Sequence, residues 1–243
     1  MFDLEMLILA GGFGTRLKGV VSNVPKPMAP INGTPLLQLQ LNHWVNQGQR
    51  SFIFLLHHKA EIIIEFLKKQ SKYFGKTIKI DWIVEPAPLG TGGSVSNAIC
   101  RRNLSNQILI SNADTWLEGG LKEVNDSKTA AIATIRVENT ARYGSISIDN
   151  KGFVDEFIEK NTNAIGNIPG TINAGLYKLP TSLFLEFGEK KFSLETEILP
   201  NLSRKKLLNS VLLNGNFFDI GVPEDYYRFC NWYRDKIEDS GQI

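Results

Sequence analysis

The chain of 243 residues is poor in cysteine and histidine, with two residues of the first kind and three of the second. Cys100 and Cys230 lie far apart and lack the close spacing of metal ligands. We therefore interpret both as small buried hydrophobic residues, as expected in a reducing compartment. The chain also lacks internal repeats and low-complexity tracts, so neither a repeat architecture nor a disordered tail is indicated.

An excess of one charge is missing as well, because 27 basic residues oppose 25 acidic ones and leave a net charge of +2. With so little net charge, the protein lacks the extended positive potential that attracts DNA or an anionic membrane. No apolar run approaches a membrane span, and residues 2–5 do not resemble the start of a signal peptide. We expect a cytoplasmic protein with no nucleic-acid or membrane partner, which binds small anions through local groups.

Hydrophobic periodicity predicts strands that alternate with helices in the first half of the chain. Strands are predicted over 6–10, 51–56, 78–84 and 107–111, and helices from Thr34 with proline at the first helical position, over 59–70 and over 91–101. Strands dominate the second half, over 129–137, 144–148, 153–159, 171–179 and within 210–220, before a helix that begins at Pro223. This order indicates an α/β fold with a mainly parallel sheet and helices on both faces. We expect one domain, with a nucleotide half (about 1–125) and a mixed-sheet half (about 126–243) that meet at a cleft.

The most informative stretch is a loop with three glycines in four positions, Gly11 to Gly14, directly after the first buried strand. Glycine lets backbone N–H groups approach a ligand, and a concave row of N–H groups binds phosphate. Arg16 adds a guanidinium fork, and Lys26 is held between two prolines. A common turn is the alternative, since neither the P-loop nor the dinucleotide spacing is present. The combination with Arg16 and Lys26 favours a nucleoside triphosphate site.

Two carboxylates follow strands and are candidate metal ligands. Asp114 ends the strand over 107–111 at an Asn-Ala-Asp corner, where Mg²⁺ coordination and a turn cap are both compatible with the sequence. Asp219 lies in the apolar run 217–221, and a buried charge needs a partner. A metal ion shared with Asp114 would supply that partner.

Six blocks, taken together, resemble the sugar-1-phosphate nucleotidyltransferases over nearly the whole chain. The blocks are 9–17 (LAGGFGTRL), 25–28 (PKPM), 88–93 (PLGTGG), 112–114 (NAD), 172–177 (INAGLY) and 218–226 (FDIGVPEDY). Within the family, residues 20–31 and 89–93 look most like the D-glycero-D-manno-heptose 1-phosphate guanylyltransferases, which make GDP-heptose for bacterial surface polysaccharides. The resemblance implies a Rossmann-like fold, here without the C-terminal β-helix of some relatives.

The resemblance also implies a reaction, in which a sugar 1-phosphate attacks the α-phosphorus of a nucleoside triphosphate and pyrophosphate leaves. Arg16, Lys26 and Asp114 would be catalytic, and Mg²⁺ would be held by Asp114 and Asp219. The nucleotide would be bound by Leu9, Ala10, Gly11, Gly12, Gly14, Thr15, Arg16, Lys26, Glu85, Gly90 and Asp114. The sugar phosphate would be bound by Tyr143, Gly144, Glu159, Lys160 and Asn173.

Glu85 gives a separate argument about the base. Guanine presents two adjacent donors on one edge, which a carboxylate can accept with its two oxygens, whereas uracil and thymine present carbonyls there. This favours GTP, although backbone groups of Gly90 and the glycine loop are alternative readers of the base. The family corner is usually Asn-Gly-Asp, and the methyl group of Ala113 is tolerable if the backbone there is not left-handed.

Other functions remain open at this point. Mannose 1-phosphate as the sugar, or UTP, dTTP or CTP as the nucleotide, would use the same chemistry. An inactive ligand sensor is disfavoured because the charged catalytic set is complete, and a nucleotide carrier for the same reason. A molybdenum-cofactor nucleotidyltransferase would share the glycine loop but not the blocks 172–177 and 218–226. A homo-oligomer is possible, since Trp232 and Tyr233 on the last helix suit an interface as well as a core.

Overall fold

The computed structural model of the chain describes residues 4–17, 19–21, 24–141, 143, 145–158 and 168–239. The described strands are β1 (Met6–Leu9), β2 (Pro30–Ile31), β3 (Thr34–Pro35), β4 (Ser51–Leu56), β5 (Lys79–Val84), β6 (Gln107–Asn112), β7 (Thr115–Leu117), β8 (Ala130–Val137), β9 (Ser145–Ile148), β10 (Val154–Ile158), β11 (Gly170–Pro180), β12 (Leu208–Leu213) and β13 (Phe217–Asp219). The helices are α1 (Leu36–Asn46), α2 (Ala60–Phe74), α3 (Gly90–Arg101), α4 (Leu121–Asn125), α5 (Leu199–Arg204) and α6 (Pro223–Asp239).

A seven-stranded sheet forms the centre, in the order β12-β8-β11-β6-β1-β4-β5. Every neighbouring pair in it is parallel except those made by β11, which runs antiparallel to both β6 and β8. The sheet is therefore mixed and mainly parallel, as predicted, and it contains strands from both halves of the chain. The carboxyl ends of β1 and β6 meet at one edge, where open α/β sheets bind ligands.

Successive residues of β1 point to opposite faces of the sheet, and both faces are buried. Met6 and Ile8 pack in one cluster with residues of α1 and α2, while Leu7 packs in another with residues of α3 and α5. This burial on both sides explains why the strand reads as an unbroken apolar run. The prediction of helices on both faces is confirmed.

A third apolar cluster joins the C-terminal helix α6 to the segment that follows the glycine loop. Phe229 packs there against both Trp116 and Phe218. Strands β13 and β7, which are distant in sequence, pair antiparallel, and Asp219 lies opposite Thr115. The aromatic residues of α6 thereby bring the second candidate carboxylate next to the corner that contains Asp114. Trp232 and Tyr233 also pack on this cluster, and the homo-oligomer stays a prediction.

Two predictions from sequence are wrong. Thr34 does not cap a helix, because Thr34–Pro35 forms strand β3 against β2 and α1 begins at Leu36 without a side-chain cap. The competing signal is Asn32-Gly33, whose φ angles of 48° and 87° make a two-residue hairpin turn.

Cys100 is exposed rather than buried, because it lies two positions beyond Ala98 and off the inner face of α3; Cys230 is half-buried.

The predicted division into a nucleotide half and a sugar half stays a prediction, although one sheet connects them. Within the described ranges, no helix is both long and apolar enough to span a bilayer. The remaining element boundaries differ from the predicted ones by a few residues at most, except that α2 continues to Phe74.

Candidate active site

A cleft of about 280 Å³ opens at the carboxyl ends of β1 and β6. It brings together most of the predicted nucleotide residues, namely Leu9, Ala10, Gly11, Gly12, Lys26, Glu85, Gly90 and Asp114. Gly14 lines a neighbouring cavity that shares Phe13 and Lys26 with the cleft. Thr15 and Arg16 lie in the short 3-10 turn that follows. Residues that are separated by more than one hundred positions in sequence thus line one concave site.

The glycine loop packs tightly against its neighbours at two positions. A Cβ atom on Gly11 would lie 3.3 Å from the His57 backbone nitrogen and 3.3 Å from its Cβ. Gly14 has a φ angle of 62°, and a Cβ atom there would lie 3.1 Å from Cβ of Lys26. The small loop therefore allows the Lys26 turn to pack directly against it.

Four charged side chains meet beside the cleft, and we refer to Arg16, Lys26, Asp114 and Asp219 as the charge cluster. The Lys26 ammonium donates to Oδ2 of Asp114 at 2.6 Å and lies 4.0 Å from Oδ1 of Asp219. The Arg16 guanidinium lies 3.9 Å from Oδ2 of Asp219. The side chain of Lys26 is only 8% exposed, and these carboxylates offset the cost of burying its ammonium group.

Gly221 provides the space in which the charge cluster assembles. Its N–H donates to Oδ1 of Asp219 at 2.9 Å. A Cβ atom on Gly221 would collide with Nζ of Lys26 and would lie 2.6 Å from Oδ1 of Asp219. Alanine at this position would therefore displace at least one of these charges.

The two carboxylates of the charge cluster fit the ligand preferences of Mg²⁺. Both lie within 4.0 Å of the Lys26 ammonium, so a positive charge is already favourable next to them. The described residues contain no group of three or more histidine, cysteine, aspartate or glutamate side chains that would form a protein-only cage. One or two carboxylates completed by phosphate oxygens are the usual arrangement for Mg²⁺.

The backbone around Asp114 is fixed by residues that the sequence did not reveal as functional. Nε2 of Gln40, on α1, donates to the carbonyls of Asn112 and Thr115 at 3.2 and 2.5 Å. The N–H of Ile220 donates to the carbonyl of Asp114 at 2.9 Å. A glutamine within the apolar pattern of α1 was the signal that could have identified Gln40.

The departure at Ala113 is accommodated. Its backbone does not have a positive φ angle, and its methyl group is buried in the core cluster beneath β1. Its N–H donates to the carbonyl of Leu9 at 3.2 Å. The added methyl group thus packs in the core without a left-handed backbone.

Glu85 is a buried carboxylate of a different kind, and we refer to Glu85, Leu89 and Ser94 as the Glu85 cluster. Oε2 accepts a hydrogen bond from the Leu89 N–H at 3.1 Å, and Oε1 accepts one from the Ser94 hydroxyl. Glu85 is 5% exposed and lines the cleft. Each oxygen retains a second lone pair, so the group can still accept donors from a ligand.

The predicted sugar residues are only partly described. The Tyr143 hydroxyl donates to Oδ2 of Asp225 at 3.2 Å. Asn173 accepts the Gly175 N–H at 2.9 Å and donates to the Tyr177 hydroxyl at 2.7 Å. Burial raises the pKa of Tyr177, so this hydroxyl stays protonated. Neither Tyr143 nor Asn173 lines the cleft, and Gly144, Glu159 and Lys160 lie outside the described residues.

The fold and the site together define the class of the protein. The chain matches the family described as Nucleotidyl transferase over residues 5–236, and it belongs to that family. This agrees with a mainly parallel sheet whose carboxyl edge carries a glycine loop, a buried lysine and two carboxylates.

Relatives of known name make the comparison more specific. The chain is 35% identical over 229 residues to the D-glycero-alpha-D-manno-heptose 1-phosphate guanylyltransferase of Campylobacter jejuni subsp. jejuni serotype O:2, covering 93% of this chain and 98% of that one. It is 32% identical to the mannose-1-phosphate guanyltransferase of Saccharomyces cerevisiae, with 92% of this chain and 63% of the yeast protein covered.

Solved structures agree. The structure of HddC from Yersinia pseudotuberculosis complexed with GMP-PN is 34% identical, with a TM-score of 0.80 and coverage of 95% of this chain and 99% of the other. A UDP-glucose pyrophosphorylase complexed with UDP-glucose has a TM-score of 0.77 at 18% identity, which shows the shared fold alone.

Proposed function

We propose that the chain is a guanylyltransferase that converts GTP and D-glycero-D-manno-heptose 1-phosphate to GDP-D-glycero-D-manno-heptose and pyrophosphate. The observation that carries the proposal is the charge cluster beside the cleft, in a chain that matches a heptose 1-phosphate guanylyltransferase along nearly its whole length. The product would serve bacterial surface polysaccharide synthesis, as capsule or lipopolysaccharide, in the cytoplasm.

The reaction makes one bond and breaks one. A phosphate oxygen of the sugar 1-phosphate attacks the α-phosphorus of GTP, and the bond from that phosphorus to the bridging β-phosphate oxygen breaks. Pyrophosphate leaves with the bonding electron pair, in line with the attack. Such a step requires mainly positioning and stabilisation of charge.

Lys26 is the central residue of this proposal. Its buried ammonium would leave Asp114 and bridge the α-phosphate and the incoming phosphate, where negative charge accumulates in the transition state. The side chain of Arg16 is 61% exposed and would reach the β- and γ-phosphates and stabilise the leaving pyrophosphate. The glycine loop, including Gly11, Gly12 and Gly14, would line the triphosphate.

Asp114 and Asp219 would hold Mg²⁺, consistent with the fit of their oxygens described above. When bound, the ion supplies positive charge that offsets the charge of the triphosphate. The protein side chains orient the phosphates and keep Lys26 and Arg16 directed at them. Glu85 would accept the N1–H and 2-amino donors of guanine with its remaining lone pairs, while Leu89 and Ser94 hold it in place.

The sugar end of the proposal depends on Tyr143, Gly144, Glu159, Lys160 and Asn173. Lys160 would bind the phosphate of the sugar, and the other residues would line the sugar ring. Gly175, whose N–H donates to Asn173, lies close to the Asp114 corner, because a Cβ atom on it would lie 2.7 Å from Nδ2 of Asn112. This proximity supports a sugar site beside β11.

The proposal is tested by pyrophosphate release with Mg²⁺ present, for four nucleoside triphosphates against heptose, mannose, glucose and N-acetylglucosamine 1-phosphates. A single strong signal for GTP with the heptose is expected. A strong signal for another pair would keep the chemistry and overturn the substrate. No signal with nucleotide bound would instead indicate an inactive regulatory relative.

Mannose 1-phosphate is the second candidate substrate, favoured by the yeast relative at 32% identity. The chain spans 63% of that protein, whereas it spans 98% of the Campylobacter heptose enzyme. The comparison of these two sugars within the same assay decides between them.

A further inference from the structure

The first turn of α3 is completed by a segment from the other half of the chain. The first N–H groups of a helix have no partner within it. Here the N–H groups of Gly92 and Gly93 both donate to the carbonyl of Phe192, each at 3.1 Å. The N–H of Phe192 in turn donates to the carbonyl of Leu89 at 3.0 Å. A loop backbone therefore caps the helix that borders the cleft.

The glycines at this turn are explained by the same contact. A Cβ atom on Gly90, whose φ angle is 74°, would lie 2.5 Å from the Phe192 carbonyl oxygen. On Gly93 it would lie 2.5 Å from the carbonyl oxygen of Lys190, and on Gly92 it would collide with the Phe192 ring. Two backbones can pack this closely only where one of them lacks side chains.

A side-chain network locks the two segments together. The Thr91 hydroxyl donates to Oε2 of Glu195 at 2.6 Å, although the two residues are 104 positions apart. The N–H of Leu194 donates to the Thr91 hydroxyl oxygen at 2.9 Å. The Ser193 hydroxyl donates to the same Glu195 oxygen at 2.6 Å. Thr91 lines the cleft, whereas Glu195 is not among its lining residues.

We propose that residues 190–195, which we call the capping segment, set the affinity of the cleft for the nucleotide, with Glu195 as the positioning residue. The turn that they hold contains both donors to Glu85, at Leu89 and Ser94. A shift of this turn therefore moves the buried carboxylate that faces the cleft. The inference rests on the proposed function only in taking a nucleoside triphosphate as the ligand.

The test pairs variants that remove the lock with variants that keep it. Glu195→Leu and Thr91→Val remove the hydrogen bond, while Glu195→Gln and Thr91→Ser retain an acceptor and a donor. Isothermal titration with GTP should show about tenfold weaker binding for the first pair and near-normal binding for the second. In turnover, the first pair should raise KM for GTP with kcat changed less than about threefold.

Glu197→Leu is the matched control, because Glu197 is an exposed acid in the same turn, and it should bind GTP as the wild type does. Thermal unfolding checks that each variant is folded. If Glu195→Leu is not folded, the comparison of Thr91→Val with Thr91→Ser takes its place. Equal GTP affinity in the lock-removing variants and the wild type overturns the inference. So does equal loss in Glu195→Gln and Glu195→Leu, since it would mean that the charge itself is used.

Failure of the proposed function gives a different result. Wild-type protein that binds GTP but releases no pyrophosphate contradicts the transferase reaction and leaves the affinity comparison intact. Wild-type protein that does not bind GTP overturns both.

Discussion

The carboxylates in and beside the cleft are stabilised in two different ways. In the charge cluster, Asp114 and Asp219 are paired with cations from distant segments. In the Glu85 cluster, the carboxylate is held by an N–H group and a hydroxyl from residues at most nine positions away. The difference indicates that the charge cluster can exchange partners when anions arrive, whereas the Glu85 cluster keeps its geometry.

This contrast agrees with the tasks proposed for the two regions. A lysine that must move from a carboxylate to a phosphate leaves that carboxylate without a counter-charge. Another cation, such as a metal ion, must be able to take its place there. A group that reads hydrogen bonds on a base needs fixed oxygen positions, because a mispaired buried polar group costs about 1–3 kcal/mol. The predictions below test the two regions separately, from the largest expected effect to the smallest.

Removal of the lysine charge should produce the largest effect. We expect Lys26→Met to lower kcat by about 10²–10³-fold or more, because the ammonium stabilises charge that develops in the transition state. The measurement is steady-state pyrophosphate release. Lys69→Met, at a lysine whose side chain is 72% exposed, is the control and should be unaffected. A near-normal rate for Lys26→Met in folded protein would remove Lys26 from the mechanism.

Lys26→Met, which should lower the rate, should increase the affinity of the nucleotide-free protein for a divalent cation. In the structure the Lys26 ammonium neutralises Asp114 at 2.6 Å, so it competes with a divalent cation. We expect Mn²⁺ to bind nucleotide-free Lys26→Met at least about tenfold more tightly than wild type, measured by electron paramagnetic resonance. Lys26→Arg keeps the charge and should not show the gain. Unchanged Mn²⁺ affinity in Lys26→Met would mean that the two carboxylates are not the metal site.

In the Glu85 cluster the expected effect is on selectivity. Glu85→Gln can still accept from Leu89, but its amide nitrogen would oppose the donors of guanine. We expect kcat/KM for GTP relative to UTP and dTTP to fall about tenfold, with smaller changes in the rate for the best substrate. An unchanged ratio would show that Glu85 does not read the base.

The smallest effect concerns His43, a partly buried ionisable group outside both clusters. Burial lowers the pKa of His43, whose ring packs 4.6 Å from Trp116. The unfolded chain therefore binds a proton that the folded one does not, and stability is lost as pH falls below about 6.5. We expect His43→Gln to reduce the difference in unfolding free energy between pH 7.5 and pH 5.5 by up to about 1 kcal/mol, measured with urea. An identical pH dependence in both proteins would contradict this.

Much of the fold followed from local patterns in the sequence. Buried strands such as β4, predicted and observed over the same residues, are set by short apolar runs and turn signals. The charge cluster was also foreseen as a set, since its members stand in recognisable blocks. Local patterns did not reveal that Asn32-Gly33 makes a hairpin next to the expected helix start, because two short-range signals competed there.

The supporting contacts of the site could not be foreseen. Gln40, Ser94 and Glu195 act through partners that are brought near them by folding, at separations of up to 104 positions. No periodicity reports such pairs. The glycines of residues 90–93 gave a visible signal, but the sequence did not show that a second backbone is what requires them at these positions.

The charge cluster can be disturbed by a substitution at a residue that carries no charge, namely Gly221. Gly221 has no side chain, yet the space it leaves is shared by a lysine, an aspartate and an arginine from three separate stretches of the chain. Any substitution of Gly221 introduces a Cβ atom, and that atom would press on all three charged groups at once. A residue with no functional group of its own thus sets the spacing of the charges that the proposed reaction uses.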